Sequence, residues 1–198
     1  MVGAKTVVWL VCLAPAAWLV WLGFHGGLGA NPVEFVTHTT GDWTLRLVLV
    51  TLAITPLRRL FKAPRFTRFR RLIGLFAFFY GCLHFLTWFV LDKSFDLTEM
   101  WKDVLKRPFI TVGFLGFVLM IPLAVTSTAG WIRRLGGKNW QRLHRLIYVT
   151  GIAGVVHYYW LVKSDVRLPV MYGVILAVLL GARLVQSRRS ASAARAAL

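Results

Sequence analysis

Acidic residues are scarce in this chain: seven Asp and Glu stand against 24 Lys and Arg in 198 residues, a formal net charge of +17. Cysteine is scarcer still, with only Cys12 and Cys82 and no Cys-x-x-Cys. That excludes a disulfide framework and a dithiol redox centre and leaves two inert apolar thiols as the default. No Gly-x-Gly-x-x-Gly turn or Walker loop is present, and the connections between apolar stretches reach only about 18 residues, too short for a Rossmann-like half or an appended catalytic domain. The Gly-Gly pairs at Gly26 and Gly136 read as turns. Charged residues make up 16% and hydrophobic ones 58%, too apolar a mixture for an ordinary soluble domain. The cationic excess therefore does not mark a nucleic-acid surface.

What is present in quantity is apolar sequence in runs long enough to cross about 30 Å of hydrocarbon. Windows near 7–24, 43–60, 72–91, 109–128, 143–162 and 168–186 predict an all-α integral membrane protein, a six-helix bundle forming one domain over residues 1–198 with a basic tail at 187–198. The first run continues through Trp18, Trp21 and Phe24 past Ala14, Ala16 and Ala17, longer than the apolar region of a cleaved signal, so it is expected to remain as a span. Seventeen of the 24 cations are Lys5 and the members of three clusters, Arg58 to Arg71, Arg133 to Arg145 and Arg183 to Arg195, whereas all seven acids lie in the intervening connections. The positive-inside rule then places both termini in the cytoplasm. Trp43, Trp101, Trp131, Trp140 and Trp160 sit near window ends, where an amphipathic indole is favoured.

Five histidines are distributed unequally. His25 and His38 fall in the first outer connection and read as solvated loop residues. His84 and His157 interrupt apolar windows, where an ionisable group is costly unless partnered. At about 1.5 Å rise per residue, His84 lies roughly 18 Å from Leu72 and His157 roughly 21 Å from Leu143. Both reach the same outer level on two helices, so they can supply opposed axial nitrogens to a haem. The plain alternative is that each merely hydrogen-bonds a neighbouring helix. A zinc site lacks nearby acids or thiols to complete a tetrahedron.

His144 opens the fifth window in Trp140-Gln-Arg-Leu-His144-Arg145. Thirteen residues separate it from His157, which is about 220° off one helical face, and the position thirteen before His84 is Arg71. His144 is either the ligand of a second cofactor or a basic interfacial residue. With Arg70, Arg71, Trp140, Arg142 and Arg145 it gathers cations, an aromatic surface and a titratable group, suited to a flavin phosphate or a quinone headgroup, though lipid phosphates account for most of the arginines. Arg46, about one turn inside the second window, needs an anion; a haem propionate and ordinary snorkelling to the interface are both open.

The stretches His25-Gly-Gly-Leu-Gly-Ala-Asn-Pro, Thr55-Pro-Leu-Arg58, Arg70-Arg-Leu-Ile-Gly-Leu75, Thr126-Ser-Thr128 and Trp140-Gln-Arg-Leu-His144, followed by His157-Tyr, resemble the haem-binding membrane subunits of bacterial periplasmic protein-methionine-sulfoxide reductase systems, within the wider ferric-reductase-like membrane domains. The resemblance implies b-type haem, FMN, a location in the bacterial inner membrane, and transfer of electrons from quinol to a periplasmic molybdenum-containing reductase subunit that repairs oxidised envelope proteins. It maps the family's membrane histidines onto His84, His144 and His157. Haem carries one electron at a time whereas sulfoxide reduction takes two, so the chain itself reads as a conduit with substrate chemistry elsewhere. A stand-alone ferric or cupric reductase would use the same haem without a protein partner. A transporter or scaffold would show no haem absorption.

Overall fold

A computed structural model of the chain describes residues 2–196. Those residues form helices and short connections, with no strand among them: α1 (Val2–Phe24), α2 (Pro32–Leu60), α3 (Thr67–Leu86), α4 (Leu97–Lys106), α5 (Pro108–Val125), α6 (Ala129–Leu143), α7 (Leu146–Leu161) and α8 (Arg167–Ala196). Four helical stretches are long and apolar enough to cross a membrane, Gly3–Phe24, Pro64–Asp92, Pro108–Val125 and Arg167–Gln186. They match the first, third, fourth and sixth expected windows. The other two fall short for separate reasons. α7 carries no Asp, Glu, Lys or Arg but has 16 residues, about 24 Å of helix. α2 has 29 residues but carries Glu34, Asp42 and Arg46 in its first half.

α2 also begins well before its apolar window. Asn31 caps it, its side-chain oxygen accepting from the Glu34 N–H at 3.3 Å, and Pro32 occupies the first turn, where a missing N–H costs nothing. His38 therefore lies on a helix and not in a loop, a correction to the reading of that connection. The third and fourth connections contain structure too. Asp96 caps α4 by accepting from the Thr98 and Glu99 N–H groups at 2.8 and 3.0 Å. Thr128 caps α6, which is broken at Gly136, where φ is +73°. The expected tail continues α8 as helix through residue 196, and residues 197–198 of it lie outside the described residues.

Two prolines open the helical ladders, and side chains from other helices close them. Pro56 has no N–H to offer the Leu52 carbonyl; Arg183 of α8 donates to that oxygen at 2.7 Å. Beside Pro15, the buried Tyr80 hydroxyl accepts from the Ala16 N–H at 3.0 Å and donates to the Cys12 carbonyl at 2.8 Å. An unpaired carbonyl in an apolar bundle costs several kcal/mol, so these contacts fix α8 on α2 and α3 on α1. The core lies along α2, with Leu45, Val48 and Leu52 packed against Phe76, Ala77 and Tyr80 of α3 and Tyr172 and Leu176 of α8. α5 packs on α7, and a space remains between these two pairs of helices.

Every acidic side chain is engaged. Glu34 approaches His38 at 4.0 Å, Asp42 binds Arg46 at 3.1 Å, Asp92 and Asp103 share Lys93 at 3.1 and 2.6 Å, Glu99 binds Lys102 and Asp165 binds Arg167, both at 2.7 Å, and Asp96 serves as the α4 cap. Asp103 holds the Lys93 ammonium above its usual pKa, and Arg167 holds Asp165 below the usual carboxylate range.

Candidate functional site

The space between the helix pairs is a cavity of about 320 Å³ bounded by α2, α3, α5 and α7, within the range of cofactor pockets. His84 and His157 face each other inside it, with ring centroids 6.1 Å apart and ring planes at 78°. Each ring is held at its Nδ1. His84 Nδ1 lies 2.9 Å from the Thr37 carbonyl of α2, and His157 Nδ1 lies 2.7 Å from the Phe109 carbonyl of α5. A carbonyl only accepts, so both Nδ1 atoms carry the proton and both Nε2 atoms keep their lone pairs.

The same local device builds both halves. Four residues after each anchoring carbonyl stands a glycine, Gly41 after Thr37 and Gly113 after Phe109. A Cβ at Gly41 would sit 3.0 Å from His84 Cε1, and one at Gly113 would sit 2.5 Å from His157 Nδ1. The bare backbone is what lets each imidazole reach the neighbouring helix. Gly81, Gly116 and Gly154 also line the cavity, which leaves a slot between the helices where side chains would otherwise interdigitate.

A haem fits this donor set. With a metal–nitrogen bond of about 2 Å on each side and about 1 Å from each ring nitrogen to its ring centre, opposed axial imidazoles have centroids roughly 6 Å apart. The separation here is 6.1 Å. Carbonyl-anchored Nδ1 protons are the usual means of orienting metal-ligating histidines. Among the described residues no three His, Cys, Asp or Glu side chains converge as a metal set, and two imidazoles alone suit a metal whose other ligands come from a macrocycle.

The remaining candidates are placed differently. His144 caps α6 at its C-terminal end, with Nε2 at 3.0 Å from the Thr126 hydroxyl and its ring stacked on Trp140 at 3.9 Å. Trp140 donates to the Thr126 carbonyl at 2.8 Å, so it ties α6 to the end of α5 as well as marking an interface. Arg71 and Arg145 are exposed. Arg46 stays out of the cavity: it donates to Tyr172 at 2.8 Å and to Asp42 at 3.1 Å and lies over Trp43. Asp42 supplies the anion for which a propionate had been one option. His25 is exposed and stacked on Trp21, as expected of a loop residue.

Sequence reading missed His38, Arg107, Gly41 and Gly113. The first two stand at the cavity mouth with Asp92, His38 through the early start of α2 and Arg107 through its place at the cap of α5. A π-helical turn, Thr87–Asp92, follows the end of α3 and brings Trp88 and Asp92 to the cavity wall.

A helical bundle that crosses the membrane several times and presents opposed imidazoles to an internal slot defines a class of membrane cofactor protein. The chain belongs to the family described as ferric reductase like transmembrane component, which matches residues 40–155, including His84 and His144 and ending two residues before His157. It is 55% identical to the protein-methionine-sulfoxide reductase heme-binding subunit MsrQ of Caulobacter vibrioides, over 94% of this chain and 89% of that one. The proteins of the same name from Herminiimonas arsenicoxydans and Bordetella pertussis are 54% and 51% identical, covering 89% and 96% of this chain and 82% and 93% of theirs. No solved structure matches the chain.

Proposed function

We propose that this chain is the haem b membrane subunit of a methionine sulfoxide reductase system, carrying electrons from the quinone pool to a periplasmic molybdenum-containing reductase. The observation that carries the reading is the pair His84 and His157, with both Nδ1 atoms anchored on backbone carbonyls and the rings 6.1 Å apart. Likeness to heme-binding subunits of that system, at 55% identity over most of the chain, supports the same assignment. The bound haem supplies a one-electron carrier between a donor on one side and an acceptor on the other. His84 and His157 would hold it. Thr37 and Phe109 fix the tautomer and orientation of both imidazoles, Gly41 and Gly113 admit the rings, and the apolar helices exclude water.

In this reading α2 and α7 join the four apolar helical stretches as spans, giving six crossings with both termini in the cytoplasm of the bacterial inner membrane. Segregation of the cations supports that orientation. The cavity mouth then faces the periplasm and the partner subunit. Quinol, FMN and lipid phosphates belong to the opposite face, where Arg71, Trp140, His144 and Arg145 lie. With each outer acid already engaged by a base or a helix end, docking of the partner rests on mixed charge pairs and weakens with salt.

The absorption spectrum of the purified protein tests this reading. His84→Ala and His157→Ala should each remove most of the b-type absorption, while His25→Ala retains it. A full low-spin bis-imidazole spectrum in His84→Ala would refute the pair. Reoxidation of the reduced protein by chelated ferric iron, with no response to the reductase and methionine sulfoxide, would favour a metal reductase instead.

A further inference from the structure

The short helix between α3 and α5 carries an apolar surface that the rest of the described chain leaves bare. Leu97, Trp101 and Leu105 of α4 follow one another at every fourth position and are 60, 50 and 80% exposed. At about 100° per residue they occupy an arc of roughly 80°. One edge of the arc continues into Met100 and Val104, which are buried where α4 packs on α5. The other edge gives way to Thr98, Lys102, Lys106 and Glu99, all exposed. Two contacts set the level of this arc. The Thr111 hydroxyl donates to the Val104 carbonyl, and the Trp101 and Phe114 rings meet edge to face with centroids 5.8 Å apart. Residues 104 and 101 thus pair with 111 and 114, so the chain turns back at Arg107 and α4 lies beside the first two turns of α5.

Phe114 stands six residues inside Pro108, about 9 Å down a helix long and apolar enough to cross a membrane. Leu115 and Val118, the next residue and the next turn of α5, are 51 and 39% exposed, so the bare arc of α4 runs on into the exposed side of a span. An apolar stripe containing a tryptophan, bordered by lysines on a helix with a fully polar opposite face, is the composition of a helix that lies in the membrane interface. We infer that α4 is immersed in the leaflet that holds the cavity mouth, with Leu97, Trp101 and Leu105 among the acyl chains and Lys102 and Lys106 reaching the headgroups. Lipid, and not a protein partner, covers this face. The Phe114 and Phe85 rings, 6.1 Å apart, line the cavity, so Trp101 backs the cavity wall from the lipid side and a docking protein is left with the mouth at His38, Asp92 and Arg107. The inference requires α5 to be a span and is independent of the haem reading, because neither His84 nor His157 takes part.

The test places nitroxide labels one at a time on the full chain in nanodiscs of phosphatidylcholine and phosphatidylglycerol. The labelled variants are Leu97→Cys, Trp101→Cys, Leu105→Cys, Thr98→Cys and Lys102→Cys, each combined with Cys12→Ala and Cys82→Ala. Power saturation compares collisions with oxygen, which concentrates in lipid, and with a water-soluble nickel chelate. Oxygen should dominate at Leu97, Trp101 and Leu105, and the order should reverse at Thr98 and Lys102. Access of the chelate to all five positions puts the face in water, and exclusion of both reagents from the three apolar positions puts protein over it. Either result overturns the inference. Amide hydrogen exchange gives a second reading that needs no label. Leu105→Ser forfeits the transfer of one leucine side chain and should speed exchange in α4 about tenfold, whereas Lys102→Gln should leave it unchanged. Exchange in Leu105→Ser no faster than in Lys102→Gln also overturns the immersion.

Discussion

Replacing Gly113 with alanine is the sharpest probe of the cavity, because one methyl group is set against one imidazole. The added Cβ would lie 2.5, 2.8 and 2.9 Å from His157 Nδ1, Cε1 and Cγ, closer than real side chains approach, so the ring must leave its 2.7 Å bond to the Phe109 carbonyl. Alanine is favoured over glycine in a helix by up to about 1 kcal/mol, which works in the variant's favour. Against this stand the lost hydrogen bond, about 0.5–1.5 kcal/mol net, and misorientation of a ligand, which for groups that orient metal-binding histidines costs about 10–100-fold in affinity. Ligand loss dominates, so Gly113→Ala should fold as well as wild type yet retain haem roughly 10–100-fold more weakly. Gly41→Ala, with its nearest contact at 3.0 Å, should lose less, and Gly181→Ala, with nothing within 4 Å, should lose nothing. Titrating haem into apoprotein by absorption measures all three. Wild-type affinity and spectrum in Gly113→Ala would refute the assignment of His157 and the role of the glycine together.

Arg46→Leu leaves Asp42 on the cavity wall without its cation, so the haem midpoint potential should fall, by about 59 mV for each 1.4 kcal/mol of lost stabilisation; an unchanged potential in a redox titration would refute the coupling. His144→Ala removes the Thr126 bond and the stack on Trp140 and should slow reduction by quinol while leaving the His84 and His157 absorption intact, as stopped-flow measurements would show. Asp103→Asn leaves Lys93, whose side chain is only 15% exposed, with Asp92 as its one remaining carboxylate, and should weaken the docking of α4 by less than the roughly 3 kcal/mol of a fully broken buried pair, seen as faster hydrogen exchange in α4. Because the Lys93 pKa is raised in the folded protein, its contribution is fully present below the unfolded lysine pKa of about 10.4 and is lost only as pH rises through the folded value. Exchange in α4 should therefore be insensitive to this pair through neutral pH.

That His84 and His157 share one level was legible because helical rise converts a stretch of residues into length, and the folded chain puts the two rings 6.1 Å apart. What the rise does not contain is rotation relative to another helix, so the carbonyls of Thr37 and Phe109 and the glycines beyond them stayed unread. An isolated glycine in an apolar helix was the available signal; it lacked a partner until the folded chain put the imidazole beside it. Boundaries failed for another reason. Apolar windows report hydrocarbon thickness, whereas α2 begins where the Asn31 side chain accepts from the Glu34 N–H and Pro32 has no N–H to satisfy. Those residues were visible, and read as a cap they place His38 on the helix. Asp96 and Glu99 mark α4 in the same way.

The two anchoring contacts also determine what the cavity is made of. His84 belongs to α3 and docks on α2; His157 belongs to α7 and docks on α5. Each donor is thus fixed within its own helix pair, and only the contact between the pairs sets the distance between them. The pairs meet through Phe85, Phe117, Gly81 and Met120, with the Phe85 and Phe117 rings stacked at 5.0 Å. Two apolar rings against each other supply shape with no polar group to satisfy, which suits a junction inside a membrane, where hydrophobic driving force between helices is absent and packing must replace it. A polar junction would have fixed the separation more tightly, but it would also have placed a competing ligand beside the imidazoles. Apolar stacking between the pairs and hydrogen bonding within them divides the work accordingly: the bonds set the direction of each Nε2, and the rings set the width of the slot.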